Sequence, residues 1–207
     1  MSQYFEVHPT HPQARLIKRA AEILREGGVV VFPTDSAFAI GCALGNARGV
    51  DRIRRIRAFD GPHDFSLLCR DLSDLSAWAK VDNHDFRLLR AHTPGPYTFV
   101  LTATREVPRR LVHPRRKTIG IRVPDHPVPQ QLLQELGEPV MSVTLVFPGE
   151  ELPAADGRAI RERLEHEVDA VIDSGEAGVQ ETSVVDLTDA QPTILRIGLG
   201  DVSAFEL

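Results

Sequence analysis

The chain has 207 residues, 42% hydrophobic and 26% charged, which is the make-up of a soluble globular protein with one sizeable core. Its 24 Lys and Arg against 29 Asp and Glu leave a net charge of −5, which excludes a uniformly basic nucleic-acid coat but not a basic face. Two cysteines, Cys42 and Cys69, exclude a disulfide scaffold and any C-x-x-C zinc site, and the eight histidines include no H-E-x-x-H.

A single domain over 1–207 is expected from this length. No apolar stretch approaches the roughly 20 residues of a membrane helix, so no membrane partner is expected. The opening MSQYFEVHPTHPQ lacks the basic-then-apolar pattern of a signal peptide. A reducing, cytoplasmic setting follows as the expectation.

In chain order, Pro12 suits a first helical turn, and Leu16, Ile17, Ala20, Ile23 and Leu24 recur at helical spacing until Gly27-Gly28. The run Val29–Phe32, closed by Pro33, reads as a buried strand. The segment Val30–Gly41 then reads as that strand and the turn after it, rich in hydroxyls around Asp35. A helix fits 46–58, with Val50, Ile53 and Ile56 inward and Arg52, Arg54 and Arg55 mostly outward. Strands are expected at Phe65–Cys69, Tyr97–Thr102, Thr118–Val123, Pro139–Val146, Val171–Asp173, Ser183–Leu187 and Thr193–Arg196. Helices are expected at 72–79, 84–91 and Pro127–Leu136, and 157–168 is amphipathic. Strands alternating with helices predict α/β layers around one mixed sheet; strand order does not follow from the pattern.

Charge is segregated. Residues 105–122 carry seven basic residues against Glu106 alone, a balance of +6, whereas 150–176 carry nine acids against three arginines, a balance of −6. Thr34, Asp35 and Ser36 sit where ligands bind in open α/β sheets, although ordinary turn formers have the same composition. Guanidinium groups in Arg52-Ile53-Arg54-Arg55-Ile56-Arg57 suit phosphate or carboxylate, or a solvated helix face. By period-two alternation Thr118, Gly120 and Arg122 share one strand face, and so do Ser142 and Thr144. Arg122, among apolar neighbours, needs a partner, either an anionic ligand or a structural carboxylate. Neither G-x-x-x-x-G-K-[ST] nor G-x-G-x-x-G occurs, which argues against a P-loop NTPase or a nicotinamide enzyme.

The segments GGVVVFPTDSAFAIG, TPGPYTFVL, TIGIRVPDHP, EPVMSVTL, TSVVDLT and ILRIG, in this order, resemble the YrdC family of threonylcarbamoyl-AMP synthases over about residues 12–200. The N-terminal MSQYFEVHPTHPQARLI, FSLLCRDLSDLS and KTIGIRVP resemble its YciO branch. The resemblance implies an open, twisted mixed sheet with flanking helices around a large concave basic cavity. It implies that L-threonine, bicarbonate and ATP, with Mg2+ accompanying the nucleotide, give threonylcarbamoyl-AMP and pyrophosphate for tRNA modification. Binding of double-stranded RNA or tRNA is a further implication, for which Arg109, Arg110, Arg115, Arg116 and Lys117 are the candidates.

Carried over by position, Thr34, Phe38, Arg122 and Thr182 become substrate-binding, and Thr118, Thr144 and Arg196 nucleotide-binding. Arg55, Arg57, Ser142 and Thr144 become catalytic. Three departures stand out. The family's Lys-x-Arg pair reads Arg55-Ile56-Arg57, its Ser-Ala-Asn reads Ser142-Val143-Thr144, and the segment after the first pair reads Ala58-Phe59-Asp60-Gly61-Pro62-His63-Asp64. All three fall at ligand-contacting positions, so the resemblance implies a kept pocket with weak or altered synthase activity. The alternative is an RNA-binding protein without turnover.

Overall fold

The computed structural model describes residues 1–59, 65–175 and 177–206. Among them ten strands form one mixed sheet. These are β1 (Gln3–Glu6), β2 (Val29–Phe32), β3 (Ala39–Ala43), β4 (Ser66–Leu68), β5 (Tyr97–Thr102), β6 (Thr118–Arg122), β7 (Val140–Thr144), β8 (Ala170–Asp173), β9 (Ser183–Asp186) and β10 (Thr193–Arg196). The order is β1-β8-β2-β3-β7-β4-β6-β5-β9-β10, so the sheet is open, with β1 and β10 as edges. Six α-helices among the described residues flank it: α1 (Ala14–Arg25), α2 (Ala47–Arg57), α3 (Leu72–Trp78), α4 (Asn83–His92), α5 (Pro127–Leu136) and α6 (Gly157–Arg163). The α/β expectation holds, and no helix among the described residues is long and apolar enough to cross a membrane.

Both faces of the sheet are covered near its middle. All four residues of β2 are buried, which is why it reads as a continuous apolar run rather than an alternation. Val30 and Phe32 pack with α1 and α5, through Ile17, Leu24, Leu132 and Leu133. Val29 and Val31 pack on the opposite face with Val50 and Ile53 of α2. Both helices start on side-chain caps: Asn46 accepts from the Gly49 N–H, and His126 accepts from the Val128 N–H ahead of Pro127.

Two strands went unread in the sequence. β1 is short, half polar and at the edge, held in parallel register by β8. β3 (AIGCA) has one β-branched residue and a glycine, so local propensity does not mark it. Gly41 is there because of packing: a Cβ would come within 2.7 Å of Val140 Cγ1 and 2.8 Å of the Met141 carbonyl. The turn is therefore confined to 33–38. The amphipathic stretch 157–168 is helical only to Arg163.

His126 supplies a pH test of this scaffold. Its Nδ1 accepts from the Val128 N–H at 3.2 Å, which requires an unprotonated Nδ1, and burial pulls its pKa below the ordinary imidazole range. A depressed folded-state pKa gives stability that is present above the unfolded value of about 6.5 and lost as pH falls through the folded value. Urea midpoints should therefore decline on acidification below that pH. In His126→Asn, which keeps a capping oxygen without a titration, the decline should shrink; an identical pH profile would remove His126 as its source.

Candidate functional site

The floor of the site follows from strand register. Gly41 pairs with Ser142, Ser142 with Ser66, Ser66 with Gly120, and Gly120 with Val100. Small side chains thus lie side by side across β3, β7, β4 and β6. This is the face that α1 and α5 cover elsewhere, since Leu68 packs with those helices and pairs in register with Arg122. Where the small residues lie, a cavity of about 610 Å³ opens.

Residues from distant parts of the chain line it: Arg57, Phe59, Thr98, His113, Arg116, Thr118, Arg122, Ser142, Thr144, Glu181, Thr182 and Arg196 among them. Four arginines face one carboxylate, Glu181, among the described lining residues. Period-two alternation put Thr118, Gly120 and Arg122 on one face and Ser142 and Thr144 on one face, and all five line this cavity.

Arg122 is the most deeply held cation among the described residues, with 5% of its surface exposed. Its Nη2 donates to Thr34 Oγ1 at 3.1 Å, to Ser36 Oγ at 3.0 Å and to Asp35. The hydroxyl-rich turn therefore builds a socket for one guanidinium nitrogen. Burial lowers the Arg122 pKa, and Asp35 opposes that shift. Arg122 Nε and Asp35 Oδ2 are buried with no hydrogen-bond partner among the described residues. Arg196 is held at the other side: Nε donates to the Thr182 carbonyl at 3.0 Å, Nη1 to Glu181 at 2.8 Å and Nη2 to Thr182 Oγ1 at 3.2 Å. Thr182 Oγ1 also shares a hydrogen bond of 2.9 Å with Thr98 Oγ1. Arg116 stands 3.6 Å from Asp186, and Arg57 donates to the Val146 carbonyl while its guanidinium lies 5.7 Å from the Phe59 ring centre.

Not every sequence candidate comes to the cavity. Phe38, placed with the substrate in the sequence, is fully buried in the core and does not line the cavity. Arg55 is exposed and absent from the lining, because Ile53 and Ile56 face inward and turn it to solvent. Thr34 reaches the site through Arg122. The basic residues proposed for RNA are divided: Arg116 turns into the cavity, Arg109 and Lys117 line a separate recess, and Arg115 lines neither. The Arg110 side chain and Asp60–Asp64 lie outside the described residues. Ser66, Thr98, His113 and Glu181 were missed; each joins the lining only once strand order and loop path are known.

Both cysteines are free and buried. Burial pushes Cys42 up to about 12 and raises Cys69 as well, so neither offers a thiolate. The arrangement suits holding anions side by side rather than covalent catalysis.

Comparison with known proteins agrees with this fold. The family model Sua5/YciO/YrdC, described as telomere recombination, matches residues 22–198. The chain belongs to the Sua5/YciO/YrdC family. It is 51% identical over 205 residues to an uncharacterised YciO protein of Escherichia coli, covering 99% of this chain and all of that one. It is 32% identical over 144 residues to a threonylcarbamoyl-AMP synthase of Chromobacterium violaceum, covering 69% of this chain and 74% of the relative. Among solved structures, E. coli YciO superposes with a TM-score of 0.96 over the whole of both chains. Sua5 of P. abyssi complexed with L-threonine has a TM-score of 0.86 at 25% identity, over 95% of this chain and 58% of that one. The YciO branch expected from the sequence is thus the part of the family this chain matches.

Gly120 tests the floor. A Cβ there would lie 3.2 Å from Thr98 Cγ2 and 3.5 Å from Ser66 Cβ, above the sheet and inside the cavity. If ATP and L-threonine occupy this cavity, Gly120→Val is expected to keep the strand and to weaken their calorimetric binding roughly tenfold. Unchanged binding would place the ligands elsewhere.

Proposed function

We propose that this chain binds ATP and L-threonine in the cavity and joins them with bicarbonate into threonylcarbamoyl-AMP and pyrophosphate, with a turnover that is weak or shifted relative to the family's synthases. The observation that carries this reading is the convergence of Arg57, Arg122, Arg196, Thr118, Ser142, Thr144 and Thr182 on one recess. The named synthases among the relatives and the L-threonine in the Sua5 complex support the substrate class.

In this reaction the threonine amine attacks the bicarbonate carbon, water leaves, and a carbamate forms. A carbamate oxygen then attacks the α-phosphorus of ATP, and the bond to the β-phosphate bridging oxygen breaks to release pyrophosphate. Carboxylate, carbamate and triphosphate repel one another, so catalysis is positioning and charge compensation. On this reading Thr34 and Thr182 orient the amino acid, Thr34 by fixing Arg122. Arg57, Arg122 and Arg196 offset the negative charge. Ser142 and Thr144 line the junction, with Ser66 and Thr118 beside them in the lining. A threonine hydroxyl at 144 has shorter reach than the family's asparagine amide, and this accounts for a reduced rate.

The lining does not form a magnesium cage. Glu181 is its one described carboxylate and is already bound to Arg196 at 2.8 Å. A magnesium ion would arrive on the triphosphate, held by phosphate oxygens and water, as is usual for this cation.

The RNA-binding alternative has weaker support, because Arg116 lines the main cavity while Arg109 and Lys117 line a separate recess. The deciding experiment is incubation with labelled bicarbonate, ATP and each amino acid in turn. A labelled acyl-adenylate with stoichiometric pyrophosphate, highest with L-threonine, is the expected result. Absence of adenylate with every amino acid would overturn the reading.

A further inference from the structure

We propose that Lys80, Arg105, Arg109 and Lys117 form a second anion site, separate from the main cavity, that takes a short chain of linked phosphates such as pyrophosphate or tripolyphosphate. These four line a recess of about 590 Å³ together with Ala103, Thr104, Val107, Val112 and Pro114, and no carboxylate is among the described lining residues.

The contrast with the main cavity carries the inference. There, Arg116, Arg122 and Arg196 each face a carboxylate, Asp186, Asp35 and Glu181. In the recess, none of the four cations makes an ion pair with a described residue; Lys117 Nζ donates only to the Pro114 carbonyl. Like charges gathered without counter-charge repel, and an anion relieves that cost. Lys80 also borders a neighbouring recess that holds Asp82, Asp85 and Asp189, whereas Arg105, Arg109 and Lys117 do not; the acid nearest them in the chain is Glu106, which is outside the recess lining.

The cations stand on anchored backbone. The Lys80 N–H donates to the Thr102 carbonyl at 2.8 Å, the Ala103 N–H to Lys117 at 2.9 Å, and the Thr104 N–H to Trp78 at 2.9 Å. Lys117 has φ 60, and this left-handed residue parts its side chain from that of Arg116. The loop thereby becomes a partition: Leu111, His113 and Arg116 line the main cavity, while Val112, Pro114 and Lys117 line the recess. Val107 is buried beneath it, which gives the cations an apolar backing. Guanidinium pairs match phosphate oxygens bidentately, and a recess of this size holds two or three linked phosphates rather than the convex backbone of a duplex.

Calorimetric titration of the full chain with tripolyphosphate tests the site, with Arg105→Ser/Arg109→Ser and Arg57→Ala as variants. Both altered arginines of the first variant are exposed, and matching thermal melts would show that the fold is kept. Two equivalents are expected for the unmodified chain. The double variant should weaken one of them roughly tenfold or more, and Arg57→Ala the other. A single equivalent that only the double variant weakens supports this site while removing the triphosphate from the main cavity. A single equivalent that only Arg57→Ala weakens, or no binding, overturns the proposal. It is also overturned if a short RNA duplex binds through Arg105 and Arg109 while tripolyphosphate does not.

Discussion

Arg122→Met is expected to destabilise the fold by about 3–5 kcal/mol, because it leaves the Asp35 carboxylate buried without its cation. The pair is 5% and 10% exposed at the side chains, so solvent cannot take over the lost interaction. For a chain of this size that corresponds to a fall in melting temperature of roughly 6–20 °C. Thr34 and Ser36 lose their shared donor in the same step. The complementary change separates charge from shape. Arg122→Met with Asp35→Leu removes both ions, and replacing a buried pair by apolar groups is often neutral. The double variant should recover most of the lost stability and none of the ligand binding. A double variant as unstable as the single one would mean that the socket is needed for packing rather than for charge.

The same pair explains a functional point. Buried polar atoms without partners are uncommon, and here two of them, Arg122 Nε and Asp35 Oδ2, belong to one ion pair at the edge of the cavity. One nitrogen of the guanidinium is committed to the turn at 34–36. The remaining edge has capacity to meet an anion. The structural carboxylate and the anionic ligand that the sequence left as alternatives for Arg122 are therefore compatible: Asp35 fills the first role and leaves room for the second.

How much of this was legible in the sequence depends on what each element needs. α1, β2 and α5 carry their own signals, in apolar period, β-branched run, proline start and glycine stop. β3 does not, since Gly41 is fixed by the close approach of Val140 and Met141, which lie about a hundred residues away. The site divides in the same way. Alternation along β6 and β7 identified Thr118, Arg122, Ser142 and Thr144 within single strands. Ser66 became visible only when β4 was seated between β6 and β7. Glu181 became visible only through its bond to Arg196. The resemblance to the family found the segments correctly but carried Phe38 and Arg55 into a site they do not line, because a motif records neighbours in sequence and not the direction of side chains.

Arg57 and Arg55 bring that difference to a measurement. Residues two apart on a helix point in nearly opposite directions. α2 buries Ile53 and Ile56, which sends Arg55 to solvent, while Arg57 occupies the last turn before Ala58 takes a left-handed φ of 51. From there Arg57 reaches the Val146 carbonyl in the loop after β7, beside Thr144. It is thus the cation of the pair that lines the cavity, and on the proposed reading it faces the junction where the carbamate would meet the α-phosphate. Arg57→Ala is expected to lower pyrophosphate release from ATP, L-threonine and bicarbonate by roughly 10²-fold or more, as for loss of one group that stabilises developing charge. Arg55→Ala is expected to stay within about twofold, since Arg55 is exposed and does not line the cavity. Arg57→Lys keeps the charge but not the planar fork, and should restore only part of the rate. Equal losses from Arg55→Ala and Arg57→Ala would mean that both arginines act on the substrate, and that the end of α2 rearranges when the nucleotide binds.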